Sequence, residues 1–450
     1  MQLAQKGEPS SLSAEEFQNI ISAMNLDAAQ HIAVAVSGGG DSMALTLLLK
    51  NWCDERNIKL TALTVDHGLR DNSNAEASQV SKWLSELSID HHILGWHGDK
   101  PTTNIQDQAR KARYQLLGKW CADHDIKYLF LAHHREDQAE TFLIRLFRGS
   151  GIDGLSAMEK MTPFPGTNFE KKYPTLCRPL LDVAKEKLVE VLNEHSQQWI
   201  EDPSNKDIKY TRIQIRELLR SSEIEGLDAD RLSKTANRMR RVRSLLEEMT
   251  VSAETDYVSY SAFGFATVNR KFINELHEEI ALRLLSTVIK TVSGATYPPR
   301  HKKLETLYEK LQGQDFQGQT FQGQTLAGSM IFMIGADEII FAREVSAISK
   351  PAQITDGQTL LWDNRFLINL KDSSGTVTSI SEDHLKKLSD ELADFKEKLA
   401  SVFKNNLIRD RIMPSLPCII DQDETILLPE MLINKMNLEQ ISGFSVVFNK

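Results

Sequence analysis

The first 220 residues predict an α/β fold built on a doubly wound parallel sheet, and three observations support that reading. Short β-rich runs alternate with segments whose apolar residues recur three and four positions apart. The alternation repeats four times, at the lengths of strand, crossover helix, strand units. Polar residues crowd the ends of the runs: "SGGGDS", "DHGLR" and "HHREDQ" follow the first, second and fourth. In an open α/β sheet the ligand crevice lies at the carboxyl ends of the strands. Three segments far apart in sequence therefore deliver polar groups to one edge.

Each element has its own pattern. "IAVAV" (32–36) is a buried strand, and "MALTLLLKNWCDE" (43–55) is the helix after it. "LTALTV" (60–65) precedes the helical "NAEASQVSKWLSEL" (74–87), and "HHILGW" (91–96) precedes "NIQDQARKARYQLLGKWCADH" (104–124). "KYLFLAHH" (127–134) leads into "EDQAETFLIRLFRG" (136–149). Beyond 220 the pattern turns mainly helical, as in "HEEIALRLLSTVIKTV" (277–292). "GQDFQGQTFQGQTLAG" (313–328) holds a short FQGQ duplication, read as a loop or hairpin, and "MIFMIGADEIIFARE" (330–344) as strands. From about 350 the strands around "TLLWDNRFLINL" precede a helix with Leu385, Leu388, Leu392, Phe395 and Leu399 on one face, a core stripe. The expected domains are 1–220, a mainly helical 221–348, and a small α+β domain over 349–450.

The totals narrow the function. A chain of 450 residues, 41% apolar and 26% charged, is globular and too long for one core. No run reaches the ~18 apolar residues of a membrane span, and the first residues lack the pattern of a signal peptide. Cys53, Cys121, Cys177 and Cys418 form no CxxC pair, so they suggest neither a disulfide framework nor a zinc knuckle, and a reducing cytoplasm fits best. The net charge of −9 excludes a chain-wide grip on nucleic acid. A local grip is open: residues 206–243 hold eleven Lys/Arg against six Asp/Glu, and Arg231, Lys234, Arg238 and Arg241 form one helical stripe.

Three adjacent glycines are unfavourable inside a strand or a helix. Between the two, they make an anion site, because backbone N–H groups point outward and the helix dipole adds positive potential. Ser37 and Ser42 add hydroxyls to Gly38, Gly39 and Gly40. The loop is neither GxGxxG nor a GK[ST] P-loop. Asp41 would repel a phosphate there unless it holds a cation, which makes it the candidate Mg²⁺ ligand.

At this point the residues resemble a family. "SGGGDS" after an apolar strand is similar to the pyrophosphate loop of N-type ATP pyrophosphatases, a Rossmann-like fold. Within that superfamily the chain resembles the bacterial tRNA(Ile)-lysidine synthetases. The matching stretches are "VDHGLRDNSNAEA" (65–77), "NIQDQARKARYQLL" (104–117), "LAHHREDQAETFLIRLFRGSGIDGLSAM" (131–158), "CRPLL" (177–181) and "WIEDPSNKD" (199–207). The resemblance is dense over the first 220 residues and returns at "TYPPR", "TLAGS" and "RDRIMPSLPCI". Two positions depart from the family: Glu136 stands where Asp is usual, so only Asp137 carries over, and "YTRIQIR" (210–216) lacks the common Asn, which weakens Arg212 and Arg216 as carried-over site residues.

The resemblance implies ATP and Mg²⁺ as cofactors, and L-lysine and tRNA(Ile) with a CAU anticodon as partners. The C2 oxygen of the wobble cytidine is adenylated, and the lysine ε-amine then displaces AMP. Homodimer assembly is compatible with it. Asp137 would hold the lysine ammonium, and Arg113 or Arg110 its carboxylate by bidentate geometry. Asp66 and His67 would touch the nucleotide, with capping of a turn as the structural alternative. Of His133 and His134, adjacent on a strand and so on opposite faces, one would line the site; His133 is the candidate. Arg145 and Arg148 read either as dipole-compensating cations or as phosphate contacts. Trp199, Asp202, Ser204 and Asn205 read as a capped turn.

Three rivals share parts of this pattern. A tRNA thiolase would use ATP in the same way, but many need paired cysteines. An amidating synthetase would need an ammonia source, and no glutaminase-like segment is visible. A non-catalytic RNA-binding module would have no need of Asp41 and Asp137. If the basic stripe touches tRNA, changing Arg238 and Arg241 together to Gln lowers the log–log salt slope of tRNA binding, by roughly 0.7 to 0.9 for each phosphate no longer neutralised. A salt series of tRNA affinities checks this, and superimposable curves return the stripe to a solvated helix face.

Overall fold

The computed structural model describes residues 10–26, 29–68, 73–96, 103, 105–165, 172–201, 211–222, 224–313, 324–371, 373–392, 394–403, 405–436 and 443–449. The chain divides into two compact units, 1–244 and 245–450. The expected boundaries at 220 and 348 are not where it divides. Residues past 220 stay with the first unit because Ile215 and Ala236 share a small core with Phe142, Leu143 and Ala157.

In the first unit, helix α1 (Ala14–Ser22) precedes strand β1 (His31–Ala35), α2 (Gly40–Asp54), β2 (Lys59–Asp66), α3 (Ser73–Glu86) and β3 (Asp90–Gly95). Then come α4 (Ile105–Asp123), β4 (Tyr128–Phe130), α5 (Arg135–Phe147), the short α6 (Ile152–Leu155), β5 (Met161–Thr162) and β6 (Thr175–Cys177). Helices α7 (Lys185–Glu194), α8 (Thr211–Ser221) and α9 (Ala229–Tyr257) follow, the last running through the division. The sheet order is β3-β2-β1-β4-β6-β5. Every pairing is parallel except β5 with β6. Alternation along β1 sends Ile32 and Val34 into a core with α1, α2, α3 and α7, and Ala33 into a core with Leu117 and Cys121 of α4. Both faces are covered, as a doubly wound sheet requires.

The order reverses between β1 and β4, and that switch point fixes where a ligand crevice opens. The loops after these two strands flank it. They are 37–39, before α2, and 131–134, before α5.

The second unit holds two sheets. The five-stranded sheet orders β7 (Val258–Tyr260), β8 (Ala266–Asn269), β11 (Glu338–Arg343), β10 (Ser329–Ile334) and β9 (Gln324–Leu326). Its core takes in α10 (Phe272–Glu275), α11 (Glu278–Ser293) and α12 (His301–Gln312). The end of the duplicated segment is a hairpin, with Ala327 and Gly328 both at positive φ in its turn; 314–323 lie outside the described residues. The seven-stranded sheet comprises β12 (Ala352–Ile354), β13 (Thr359–Trp362), β14 (Phe366–Asn369), β15 (Gly375–Ser379), β16 (Pro417–Asp421), β17 (Ile426–Pro429) and β18 (Gly443–Phe448). The expected leucine-stripe helix is two helices, α13 (Glu382–Glu391) and α14 (Phe395–Val402). Asp394 between them is left-handed (φ 62), which a right-handed helix cannot absorb. The stripe still faces the core.

Asp363 ties this unit together. Its carboxylate, fully buried, accepts from Arg343 at 2.7 and 2.9 Å, from Arg365 Nε at 2.7 Å and from the Ser349 N–H at 2.8 Å. Burial favours its neutral form, but the two guanidiniums outweigh that and hold it below the usual carboxylate range. Asp363→Asn would leave buried cations without their anion, a loss of about 3–5 kcal/mol. Urea unfolding of the full chain, followed by hydrogen exchange in residues 329–370, is expected to show that loss in the second unit; a change below about 1 kcal/mol would contradict it.

Candidate active site

A cleft of about 780 Å³ opens at the switch point. Ser37, Gly39, Gly40 and Asp41 line it from the first loop, Asp66 and His67 from the end of β2, and His133, His134 and Asp137 from the β4–α5 junction. Arg110 and Arg113 of α4, Lys185 of α7, Trp199, and Arg212, Arg216 and Arg220 of α8 also line it, as do the carboxylates Glu76 and Glu201.

The glycine loop is set by packing on one side and left bare on the other. Gly38 is left-handed (φ +83), and a Cβ there would lie 2.7 Å from Val80 and 2.9 Å from Ile200. Gly39 faces the cleft, where an added Cβ would meet only the Ser37 hydroxyl at 3.5 Å. It is the N-cap of α2 and supplies no side-chain cap, so the first-turn N–H groups are available to an anion. Ser42 departs from the expectation of a ligand donor. Its buried hydroxyl accepts from the Ser37 N–H at 3.2 Å and donates to the Gly39 carbonyl at 2.8 Å, which fixes the loop's shape.

Both histidines line the cleft, where alternation predicted one. Strand β4 stops at Phe130, so residues 133 and 134 no longer alternate across a sheet. His134 is buried and caps α5. Its Nδ1 lies 2.9 Å from Glu136, and its Nε2 lies 3.4 Å from Asp41 and 3.5 Å from Asp137. Desolvation opposes its charge, but hydrogen bonds to Asp41 and Glu136 and the nearby Asp137 prevail, pushing its pKa up to about 10. Asp41 and Asp137 are in turn held below the usual carboxylate range against their own desolvation, chiefly by His134. His133 is the reverse case. Desolvation, aided by Arg178, Arg212 and Arg110 against Asp137, pushes it down to about 4.

A second cluster joins α5 to α8. Glu140 is buried and accepts from Arg212 Nε at 2.6 Å and Arg216 Nε at 2.7 Å, while Arg212 also donates to Asp137 at 2.9 Å. Lys185 Nζ stands 3.6 Å from Asp41. The arrangement offers an N-terminal helix turn for phosphate and ionised carboxylates for a cation.

The comparisons with known proteins agree with this geometry. A family model described as a PP-loop domain matches residues 10–223. A tRNA(Ile)-lysidine synthase of Wolbachia pipientis wMel is 35% identical over 94% of this chain and 93% of its own length. Those of Ruegeria pomeroyi (35%, covering 75% and 76%) and Rhodopseudomonas palustris (42%, covering 63% and 81%) are also similar. The chain belongs to the tRNA(Ile)-lysidine synthase family.

Its departure from the family pattern now has a place. Glu136 does not line the cleft; its carboxylate accepts from His134 and from the Lys185 N–H at 3.0 Å, at the positive end of α7. Arg113 donates to His67 Nε2 at 3.3 Å, so α4 meets the end of β2 at this edge of the synthase-family cleft. Asp66 accepts from the Gly68 N–H at 2.9 Å, the turn cap, while still lining the cleft. Arg145 donates to the Gly154 and Ala157 carbonyls at 2.8 Å and is a structural clamp, whereas Arg148 is exposed. The stripe of Arg231, Lys234, Arg238 and Arg241 lies along α9, facing outward. Trp199 packs beside Gly40; Asp202, Ser204 and Asn205 lie outside the described residues.

Sequence reasoning chose His133 over His134 and passed over Glu140 and Lys185. Glu140 stands three residues after Asp137 on a predicted helix, a spacing that puts two carboxylates on one face. Lys185 carries no such signal. The four cysteines are buried with thiols pushed up to about 12, which does not fit the thiolase alternative.

His134 generates a pH prediction. Its folded pKa of about 10 exceeds the unfolded value near 6.5, so its contribution is complete below 6.5 and is lost as pH rises through about 10. Denaturant unfolding of wild type and His134→Gln between these limits is expected to show a stability gap that narrows with rising pH. A gap that stays constant would contradict the charged pairing.

Proposed function

We propose that this chain is a carbon–nitrogen ligase that joins lysine to C2 of the wobble cytidine, position 34, of tRNA(Ile) with a CAU anticodon. The cytidine O2 attacks the α-phosphorus of ATP, the α–β bond breaks and pyrophosphate leaves. The lysine ε-amine then forms a bond to C2, the C–O bond breaks, AMP leaves and the amine loses a proton. The observation behind this reading is one cleft that joins an uncapped helix N-terminus to the ionised carboxylates Asp41 and Asp137. The relatives' names supply the substrates.

The α2 N–H groups face the place where charge gathers on the leaving pyrophosphate. Asp41 fits a Mg²⁺ ligand because its carboxylate is ionised, lines the cleft and adjoins the loop. Asp41 would hold the ion; among the described residues no group of three or more His, Cys, Asp or Glu could hold a metal. When bound, Mg²⁺ would neutralise phosphate charge. Asp137 takes the lysine ammonium, and Arg113 or Arg110 its carboxylate. The target cytosine must leave its stack to reach this depth. The second unit and the stripe on α9 carry the tRNA body. No helix among the described residues is long and apolar enough to cross a membrane. We place the reaction in the cytoplasm, with the tRNA it modifies.

The test is mass spectrometry of the wobble nucleoside after incubation with ATP, lysine and tRNA(Ile); lysidine is expected, and its absence overturns the reading. Asp41→Asn is expected to lose on the order of a thousandfold in rate at matched magnesium. Near-normal turnover in that variant would remove Asp41 from the chemistry.

A further inference from the structure

The glycine loop carries no full positive charge of its own. A GK[ST] loop holds a lysine that reaches the β- and γ-phosphates of its nucleotide, and "SGGGDS" has none. A helix N-terminus offers N–H groups but only a partial charge. The fold brings an ammonium to the same place from a distant helix. Lys185 opens α7, and its Nζ stands 3.6 Å from the carboxylate of Asp41, in the first turn of α2. Both side chains line the cleft and reach solvent, Lys185 at 44% exposure and Asp41 at 32%. The start of α7 is fixed from behind, because the Lys185 N–H donates to Glu136 and Leu188 and Val191 share a core with Met43 and Leu47 of α2. The donors of the ammonium are unspent. His134, Arg212 and Arg216 hydrogen-bond carboxylates, whereas Nζ of Lys185 makes no hydrogen bond among the described residues. An exposed ion pair of this length adds little to stability, so folding gives small reason for a cation at this point.

We propose that Lys185 Nζ donates to the β- and γ-phosphate oxygens of ATP and stabilises pyrophosphate as it leaves. This rests on the function proposed above. When the cytidine O2 bonds to the α-phosphorus, the bond from that phosphorus to the bridging oxygen breaks, and its electron pair stays on pyrophosphate. Negative charge grows beside the first turn of α2, and an ammonium with donors to spare gains most at that moment. Lys185 keeps its proton throughout and supplies charge and hydrogen bonds, not acid. Leaving Asp41 costs little, because the pair is long and the four-carbon stem is flexible. The α-phosphate and the carboxylate of the lysine substrate offer similar chemistry, so the experiment separates the three.

Lys185→Met keeps the stem and removes the charge, and Lys185→Arg restores a charge. Calorimetry titrates inorganic pyrophosphate and, separately, AMP into wild type and both variants at matched magnesium. Turnover, the lysine KM and the melting temperature of the free proteins are measured alongside. The methionine variant is expected to bind pyrophosphate roughly 10- to 100-fold more weakly, the loss for a hydrogen bond between charged groups. Its AMP affinity is expected to hold, its kcat to fall on the order of a hundredfold, and its melting temperature to stay in place. The arginine variant is expected to recover most of the pyrophosphate affinity. Pyrophosphate affinity of the methionine variant within twofold of wild type overturns the proposal, whether melting falls, which leaves a structural pair with Asp41, or the lysine KM rises, which assigns the ammonium to the substrate carboxylate. An equal loss for AMP also overturns it and assigns the ammonium to the α-phosphate, and so does a wild type that binds no pyrophosphate. Failure of wild type to form lysidine strikes the proposed function, while the pyrophosphate titration, which needs neither tRNA nor lysine, still decides the role of Lys185.

Discussion

The first unit depends on His134, whose buried ring lies within 3.5 Å of three carboxylates. Asp41 belongs to the first turn of α2 and Asp137 to that of α5, and both helices start at the switch point. Left alone, the two anions would repel across the cleft, and burial would drive one of them to take up a proton. A cation between them keeps both ionised. Glu136 fixes the far side of the ring and accepts from the first N–H of α7, so three helix N-termini converge on one imidazole.

The same balance governs α8, which reaches α5 from some 75 positions further along the chain. Glu140 is almost fully buried and is tolerated because two arginines from α8 reach it. Those bonds, with the small core around Ile215, hold α8 as a wall of the cleft. Asp41, Glu136, Asp137 and Glu140 thus meet His134, Lys185, Arg212 and Arg216. A carboxylate that is already paired can still receive an ammonium, since it has about four acceptor sites. Arg220, at the outer end of the α8 row, pairs with Glu217 of its own helix at 3.4 Å and still lines the cleft.

Much of the fold was legible because its signals are local. Period-two and period-3.6 patterns read out β1 to β4 and α2 to α5 within a few residues. Strand β4 ended earlier than its apolar run, and β5 and β6 were not foreseen, because strands of two or three residues leave almost no pattern. The leucine stripe named the right core residues but joined two helices into one. Periodicity records a face; it does not record the single left-handed residue that breaks it.

For the site, the sequence by itself determined the glycine loop between a strand and a helix and the strand ends that share an edge, while Asp137 came from the family resemblance. The glycine run follows from the order of residues; the switch point follows from the order of the strands in the sheet. Only the tertiary structure decided the protonation and the partners. Ser42 turned inward to close the loop, Glu136 turned away from the cleft, and the adjacent histidines took opposite charge states. Desolvation and proximity set those outcomes. Both are properties of groups brought together from distant positions: Asp41 and Glu136 reach His134 from different helices, while the charges of Arg178, Arg212 and Arg110 act on His133 from three segments.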